Sequence, residues 1–389
     1  MASERLFDEG PRSDSTPGRH LEKSFHFLNR RAGEFWDRVR SHIEDCYAAF
    51  PDEHKRDLVG RLRDDDERQH LPAWWELYTF SLFDRLGYRV EVHPELEGSS
   101  TRPDFLVTRG PVSIYVEAAV VFNGDETSDA WNWVCDRVND AKNPDFMVDL
   151  EIPTESKQRP AARKIIDPLE EWLATLDADR ALADQAAGRP LPHIQLPAGD
   201  WVLDYTAAPV SPDRRGIGRR LIAIYPTPPA SWGTDGEQLL KTLSKKGSKY
   251  NRLEKPLDKP LVAAIASWSS IDEFDFKNTL FGSTCLAVPV GGPPLTAELF
   301  RKLDGYWRPG TDPRGTRISA VLFGDTMRAW TVASRSLPQL WINPWAATPL
   351  PDVPPFATVA VDADGNFVSG GAARTAADVF GLPPEWPND

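Results

Sequence analysis

From residue 21 onward the apolar positions recur at helical spacing. Leu21, Phe25, Leu28, Phe35, Val39, Ile43 and Tyr47 follow one another mostly at intervals of three, four or seven, which lines one face of a helix. The pattern runs on through DLVGRLRDDDERQHLPAWWELYTFSLFDRLG, where Gly87 is placed to end the last helix. It then changes period. YRVEVHPEL, RPDFLVTRG and VSIYVEAAVVF are short β-branched and aromatic runs broken by Gly, Ser and Pro, and they predict three consecutive strands joined by tight turns. From 125 to 200 the chain is mostly polar and reads as helical, with KIIDPLEEWLATLDADRALADQ the clearest helix, before WVLDYTAAPVSP and RRLIAIYPT return to strand. Residues 125–230 therefore read as an insertion.

An amphipathic helix is predicted over 236–250. Leu239, Leu240, Leu243 and Tyr250 share one side, and Glu237, Lys241, Lys245 and Lys249 recur every four residues on the other. PLVAAIAS follows, too apolar for a surface strand and too short for a helix, so it reads as a buried central strand. From about 275, short strands such as TRISAVLFG alternate with Pro-rich loops. The expected organisation is a flexible tail (1–18), a helical N-terminal region (19–71), an α/β core (72–270) containing the insertion, and a C-terminal α/β or β-rich extension (271–389).

Composition narrows the class. The 389 residues are 41% hydrophobic and 26% charged, with a mean hydropathy of -0.43, and no apolar run approaches the roughly 18 residues of a membrane span. No apolar stretch follows the charges of the N-terminus, so a cytoplasmic address and no membrane partner are expected. Cys46, Cys135 and Cys285 are odd in number and far apart, which supports neither a disulfide framework nor a zinc site. The net charge of -13 argues against a surface coated in positive potential. One segment opposes it: residues 241–259 carry seven basic side chains against two acidic ones.

Three acids stand in elements expected to be neighbours. Glu76 shares a helix face with Phe80 and Phe83, where a bare carboxylate is costly to bury. Asp104 opens a strand after Pro103, and Glu117 stands mid-strand among apolar residues. Thirteen residues separate them, enough for two antiparallel strands about 4.8 Å apart with a turn at Arg109, Gly110 and Pro111. Their oxygens are expected to converge on one hard divalent ion, magnesium or manganese. His93 lies between the first two strands, near enough in sequence to serve as base or ligand, although a structural turn histidine is the stronger expectation. No Ser-His-Asp order, HExxH, P-loop or metal-spaced Cys/His cluster is present.

The helix with Glu76, the strand opening Arg102-Pro103-Asp104-Phe105, the strand carrying Glu117, and the later basic helix and buried strand resemble the PD-(D/E)XK, or restriction-endonuclease-like, nuclease superfamily. The resemblance covers residues 72–122 and, loosely, 236–268. It implies a mixed central sheet flanked by helices, with Asp104 and Glu117 holding Mg²⁺, Glu76 as an additional first-helix acid, and a lysine two residues beyond the Glu orienting the attacking water. That position is Ala119. Either the lysine comes from elsewhere, with Lys241 or Lys245 the candidates and Arg102 a weaker one, or catalysis is lost. The expected function is metal-dependent phosphodiester hydrolysis of nucleic acid, DNA foremost, with Lys241, Lys245, Lys249 and Arg102 contacting the polyanion. The alternative is a catalytically silent nucleic-acid-binding or assembly module, as in bacterial defence or DNA processing. For Glu117 the structural alternative is a satisfied interior ion pair with an arginine such as Arg102.

Overall fold

The computed structural model describes residues 5–122, 129–217, 219–226, 234–268, 271–287, 298–310, 313–351, 355–362 and 365–388. The chain divides into two compact units, one of 1–14, 24–124 and 233–389, the other of 15–23 and 125–232.

The first unit opens with four helices: α1 (Ser24–Arg30), α2 (Glu34–Ala49), α3 (Asp52–Leu62) and α4 (Glu67–Arg85). The Asp66 carboxylate caps α4 by accepting the Arg68 backbone N–H, and Gly87, at φ 80°, turns the chain out after the helix. Residues 73–83 of α4 are buried on every side, so this helix is a core element and not an amphipathic cover. Residues 1–18 are expected to be frayed; residues 1–4 of this stretch lie outside the described residues. Instead Leu6 and Phe7 are buried, and their backbone N–H groups donate to the Glu44 carboxylate at 3.1 and 2.8 Å.

Three strands follow: β1 (Arg89–Val92), β2 (Phe105–Arg109) and β3 (Val112–Phe122). They pair antiparallel in sequence order. Gly110, at φ 56°, leads the two-residue β2–β3 turn that Pro111 completes, a conformation that favours glycine.

The second unit has its own core. It contains α5 (Asp129–Asp140), β4 (Phe146–Thr154), α6 (Arg163–Ala174), α7 (Ala178–Ala186), β5 (His193–Ala198), β6 (Trp201–Pro209) and β7 (Ile222–Ile224), with sheet order β5-β6-β4-β7. β4 falls in a stretch expected to be helical. Its buried Phe146, Val148 and Leu150 alternate at period two, a strand signature that the surrounding polarity obscures. The single helix expected over 164–185 is two, because Asp177 accepts the Arg180 N–H and starts α7. Residues 15–23 belong here through the buried Asp136, which accepts the N–H groups of His20 and Leu21 at 2.8 and 3.2 Å.

Back in the first unit come α8 (Thr234–Ser248), β8 (Leu261–Trp268), α9 (Glu273–Phe281), the hairpin β9 (Thr284–Ala287) and β10 (Glu298–Arg301), then β11 (Ile318–Asp325), β12 (Gln339–Ile342), β13 (Thr358–Val361), β14 (Phe367–Gly370) and α10 (Ala376–Phe380). Among the described residues the main sheet is mixed and eight-stranded, in the order β1-β2-β3-β8-β11-β12-β13-β14. β8 is buried almost throughout and lies between two parallel neighbours, β3 and β11, as a continuous apolar run predicts. The region after 271 is thus no separate extension: β11 to β14 widen the same sheet.

Period two sorts the strand residues by face. Val116, Val262, Ala264 and Ala266 pack with α2, α3 and α4. Tyr115, Val121, Ala263 and Ile265 pack with Leu239 and Leu243 of α8 and Phe276 of α9. Helices therefore flank both faces, and every odd-numbered β3 residue in this set looks toward α8. No helix among the described residues is long and apolar enough to cross a membrane.

Candidate active site

Glu117, odd-numbered in β3, points to the α8 face and is 0% exposed. Lys246 Nζ donates to its Oε2 at 2.6 Å, and Lys249 Nζ donates to its Oε1 at 2.6 Å. The Tyr250 hydroxyl donates to the same Oε1. Asp104 precedes the first residue of β2, and its Oδ2 accepts the Ala118 backbone N–H at 2.7 Å. Lys246 Nζ reaches that Oδ2 as well, at 3.1 Å. One ammonium thus bridges two carboxylates from adjacent strands, and two lysines balance two acids.

The electrostatics follow from burial and charge together. Burial opposes the Lys246 ammonium, but the charges of Asp104 and Glu117, and its hydrogen bonds to both, more than reverse this and hold its pKa above the ordinary lysine value. Burial first, and then the Glu117 charge, push the Tyr250 phenol far above the usual tyrosine range, so it is a fixed donor to Glu117. At 2% exposure it is part of the core.

The helix explains why these side chains meet. Leu239, Leu243, Lys246 and Tyr250 follow at intervals of four, three and four, one continuous stripe, and Lys249 lies three beyond Lys246. The lysine that reaches the acids interrupts the apolar stripe. A lysine in line with buried leucines is the signal that could have found it, and counting every fourth lysine from 241 passes it by.

Other expected site residues are placed differently. Glu76 does not join Asp104 and Glu117: it belongs to α4, on the opposite face of the sheet, where Arg61 of α3 donates to its Oε2 at 2.7 Å. The apolar helix face that suggested a metal ligand holds an ion pair instead. Lys241 is 66% exposed, with Glu237 at 4.0 Å as its partner, and does not reach the acids. Lys245 is exposed on the rim of the site. The Arg102 guanidinium pairs with Glu95 at 2.6 Å and not with Glu117. Its carbonyl accepts Lys249 Nζ at 2.7 Å. His93 has φ 50°, its N–H donates to the Asp104 carbonyl at 2.9 Å, and its ring lies against His54 with centroids 5.3 Å apart. It is the turn residue that ties β1 to the start of β2.

Beside Lys246 and Lys249, the partners of the acids, opens a cleft of about 890 Å³. Ala119 and Val120 line it from β3, and Lys245, Lys246, Lys249 and Arg252 supply its charge, with no acidic side chain among its described lining. Ala119, two residues beyond Glu117, looks into the same space as Lys246.

Compared with protein-family models, with curated proteins and with solved structures, the chain matches none. Its chemistry rests on the site alone. Among the described residues no group of three or more His, Cys, Asp or Glu side chains is arranged to hold a metal. The two-acid set is nonetheless of the right kind for a hard divalent ion, which needs only one or two carboxylates and keeps its remaining waters. The stand-in is Lys246, whose ammonium marks a point on which oxygens of both carboxylates converge.

Proposed function

We propose that the chain hydrolyses phosphodiester bonds of nucleic acid, DNA foremost, in a reaction dependent on Mg²⁺ or Mn²⁺, on a restriction-endonuclease-like core. The observation that carries this reading is the Lys246 ammonium seated between Asp104 and Glu117, in the wall of a cation-lined cleft. The element order supports it too: a helix, three antiparallel strands, a basic helix, and a buried strand parallel to the third. Three free cysteines accord with a reducing, cytoplasmic setting.

Each residue then has a role. When bound, the divalent ion supplies Lewis-acid charge to the scissile phosphate and acidifies the attacking water. Asp104 and Glu117 would hold that ion. Lys249 and Tyr250 fix the Glu117 carboxylate, and the Ala118 N–H fixes Asp104. Lys246, on a flexible stem at the cleft wall, orients the water, the task that the resemblance gives to a lysine at position 119. Lys245 and Arg252 neutralise neighbouring phosphates. One feature favours the alternative of a silent binding module: both Glu117 oxygens already carry charged donors.

An incubation of supercoiled plasmid and single-stranded DNA with Mg²⁺ or Mn²⁺ separates the two. The hydrolase reading expects cleavage that EDTA stops and that Asp104→Asn and Glu117→Gln each reduce at least about 100-fold. Equal cleavage by wild type and both variants would identify a contaminant. Bound but uncut DNA under every metal would leave the silent module.

A further inference from the structure

A second cationic cleft adjoins the first. It measures about 370 Å³, and its charge comes from Arg308, Arg314 and Arg317, with no acidic side chain among its described lining. Ser248 and Asn251, at the C-terminal end of α8, line both clefts. The end of the helix is thus a ridge with Lys245 and Arg252, beside the paired Lys246 and Lys249, on one side and Arg308, Arg314 and Arg317 on the other, in a chain whose net charge is -13. Segregation this sharp in an acidic protein marks a surface shaped for an anion.

Two details show that the ridge is built to carry negative charge. The carbonyl end of a helix repels phosphate, but here Arg317 covers it, donating to the Gly247 carbonyl at 2.8 Å and to the Asn251 side chain. The arginine segment is also held tightly against the helix. A methyl group at Gly247 would come within 2.4 Å of the Tyr306 hydroxyl oxygen, and one at Gly315 within 2.5 Å of the Tyr306 carbonyl. The guanidinium groups therefore sit on a close-packed support, which lowers the cost of ordering them on a ligand. Arg308 spends its Nε on the Gly305 carbonyl at 3.1 Å, and a guanidinium has further donors to offer.

We propose that this second cleft is a phosphate track that carries the same nucleic-acid strand past the Asp104–Glu117 centre, so that the chain takes polynucleotides long enough to cross the end of α8 in preference to nucleotides or very short oligomers. The inference rests on nucleic acid occupying the first cleft, and extends that reading to substrate length. The strand crosses the ridge over Ser248 and Asn251, its phosphates meeting Lys245 and Arg252 on one side and Arg308 and Arg314 on the other.

Fluorescence anisotropy in EDTA, where nothing is cut, tests the track with labelled single-stranded DNA of about 4 and about 20 nucleotides. The long strand should bind more tightly. Arg308→Gln with Arg314→Ala should weaken the long strand roughly 10-fold and flatten its log-log salt slope by about 1.4, at ~0.7 for each phosphate no longer neutralised, while leaving the short strand unchanged. Lys245→Ala with Arg252→Ala should weaken both. Should the double arginine variant fail to fold, the exposed Arg314→Glu alone should weaken only the long strand. The track is overturned if the arginine variants bind the long strand like wild type, or weaken both strands equally. A protein that binds across both clefts but never cuts with metal keeps the track and loses the hydrolase reading, whereas failure to bind any nucleic acid overturns both.

Discussion

Replacing Lys246 and Lys249 together by methionine will destabilise the first unit by about 3–5 kcal/mol, and adding Glu117→Gln will restore most of the loss. The asymmetry comes from exposure. Glu117 is wholly buried, so removing its ammonium partners leaves a carboxyl group that neither water nor the Tyr250 phenol compensates, and breaking a buried pair from one side costs that much. The lysines are better placed to survive alone, since their side chains retain 20% and 32% exposure and open onto the cleft. Glu117→Gln by itself should therefore cost little, about 1 kcal/mol. Chemical denaturation of the four proteins measures all of this, and a triple variant no more stable than the double would refute it. The pH dependence has a fixed sign. Because the Lys246 pKa is raised on folding, its pairing stabilises fully below the unfolded lysine value of about 10.4 and is lost as pH climbs through the higher folded value.

On the proposed hydrolase reading, Lys246→Ala will reduce metal-dependent cleavage by about 10²–10⁴-fold, the range for removing a group that positions or deprotonates the nucleophile. Introducing Ala119→Lys into that variant should recover part of the rate. Ala119 follows Glu117 by two residues, so it shares its face of the sheet, and it lines the same cleft as Lys246. A lysine there would approach the acids from β3 and not from α8. Wild-type cleavage by Lys246→Ala would remove the lysine from the mechanism, and no recovery in the double variant would show that the two positions do not serve one point in space. Rates on one DNA substrate, with Lys241→Ala as the neutral comparison, decide both.

The sequence carried the local part of this site and not its assembly. The β2–β3 hairpin was legible because Gly110 and Pro111 dictate a tight turn between two β-branched runs, and that turn brings Asp104 beside Glu117. β8 was legible because an uninterrupted apolar run needs neighbours on both sides. What periodicity could not give was which helix covers which face. Glu76 and Glu117 both looked like buried acids in search of a cation, yet α4 and α8 lie on opposite faces of the sheet, so the first found Arg61 and the second found Lys246 and Lys249. Lys246 was hidden for a related reason: sorting α8 into an apolar and a basic side leaves no place for a cation in the leucine stripe, and only the buried carboxylates on the facing strands make that position favourable. The widening of the sheet by β11 to β14 was equally out of sight, since parallel pairing with β8 joins stretches far apart in the chain and leaves no local sequence mark.

Manganese binding in the absence of nucleic acid tests most directly whether Asp104 and Glu117 form the proposed cation seat on which Lys246 rests. Followed by electron paramagnetic resonance or calorimetry, the wild-type protein should take up Mn²⁺ at this seat, Asp104→Asn and Glu117→Gln should lose it, and Lys246→Met should bind about tenfold more tightly, ~1.4 kcal/mol, because the competing ammonium is gone. Equal affinity in all four proteins would contradict the account.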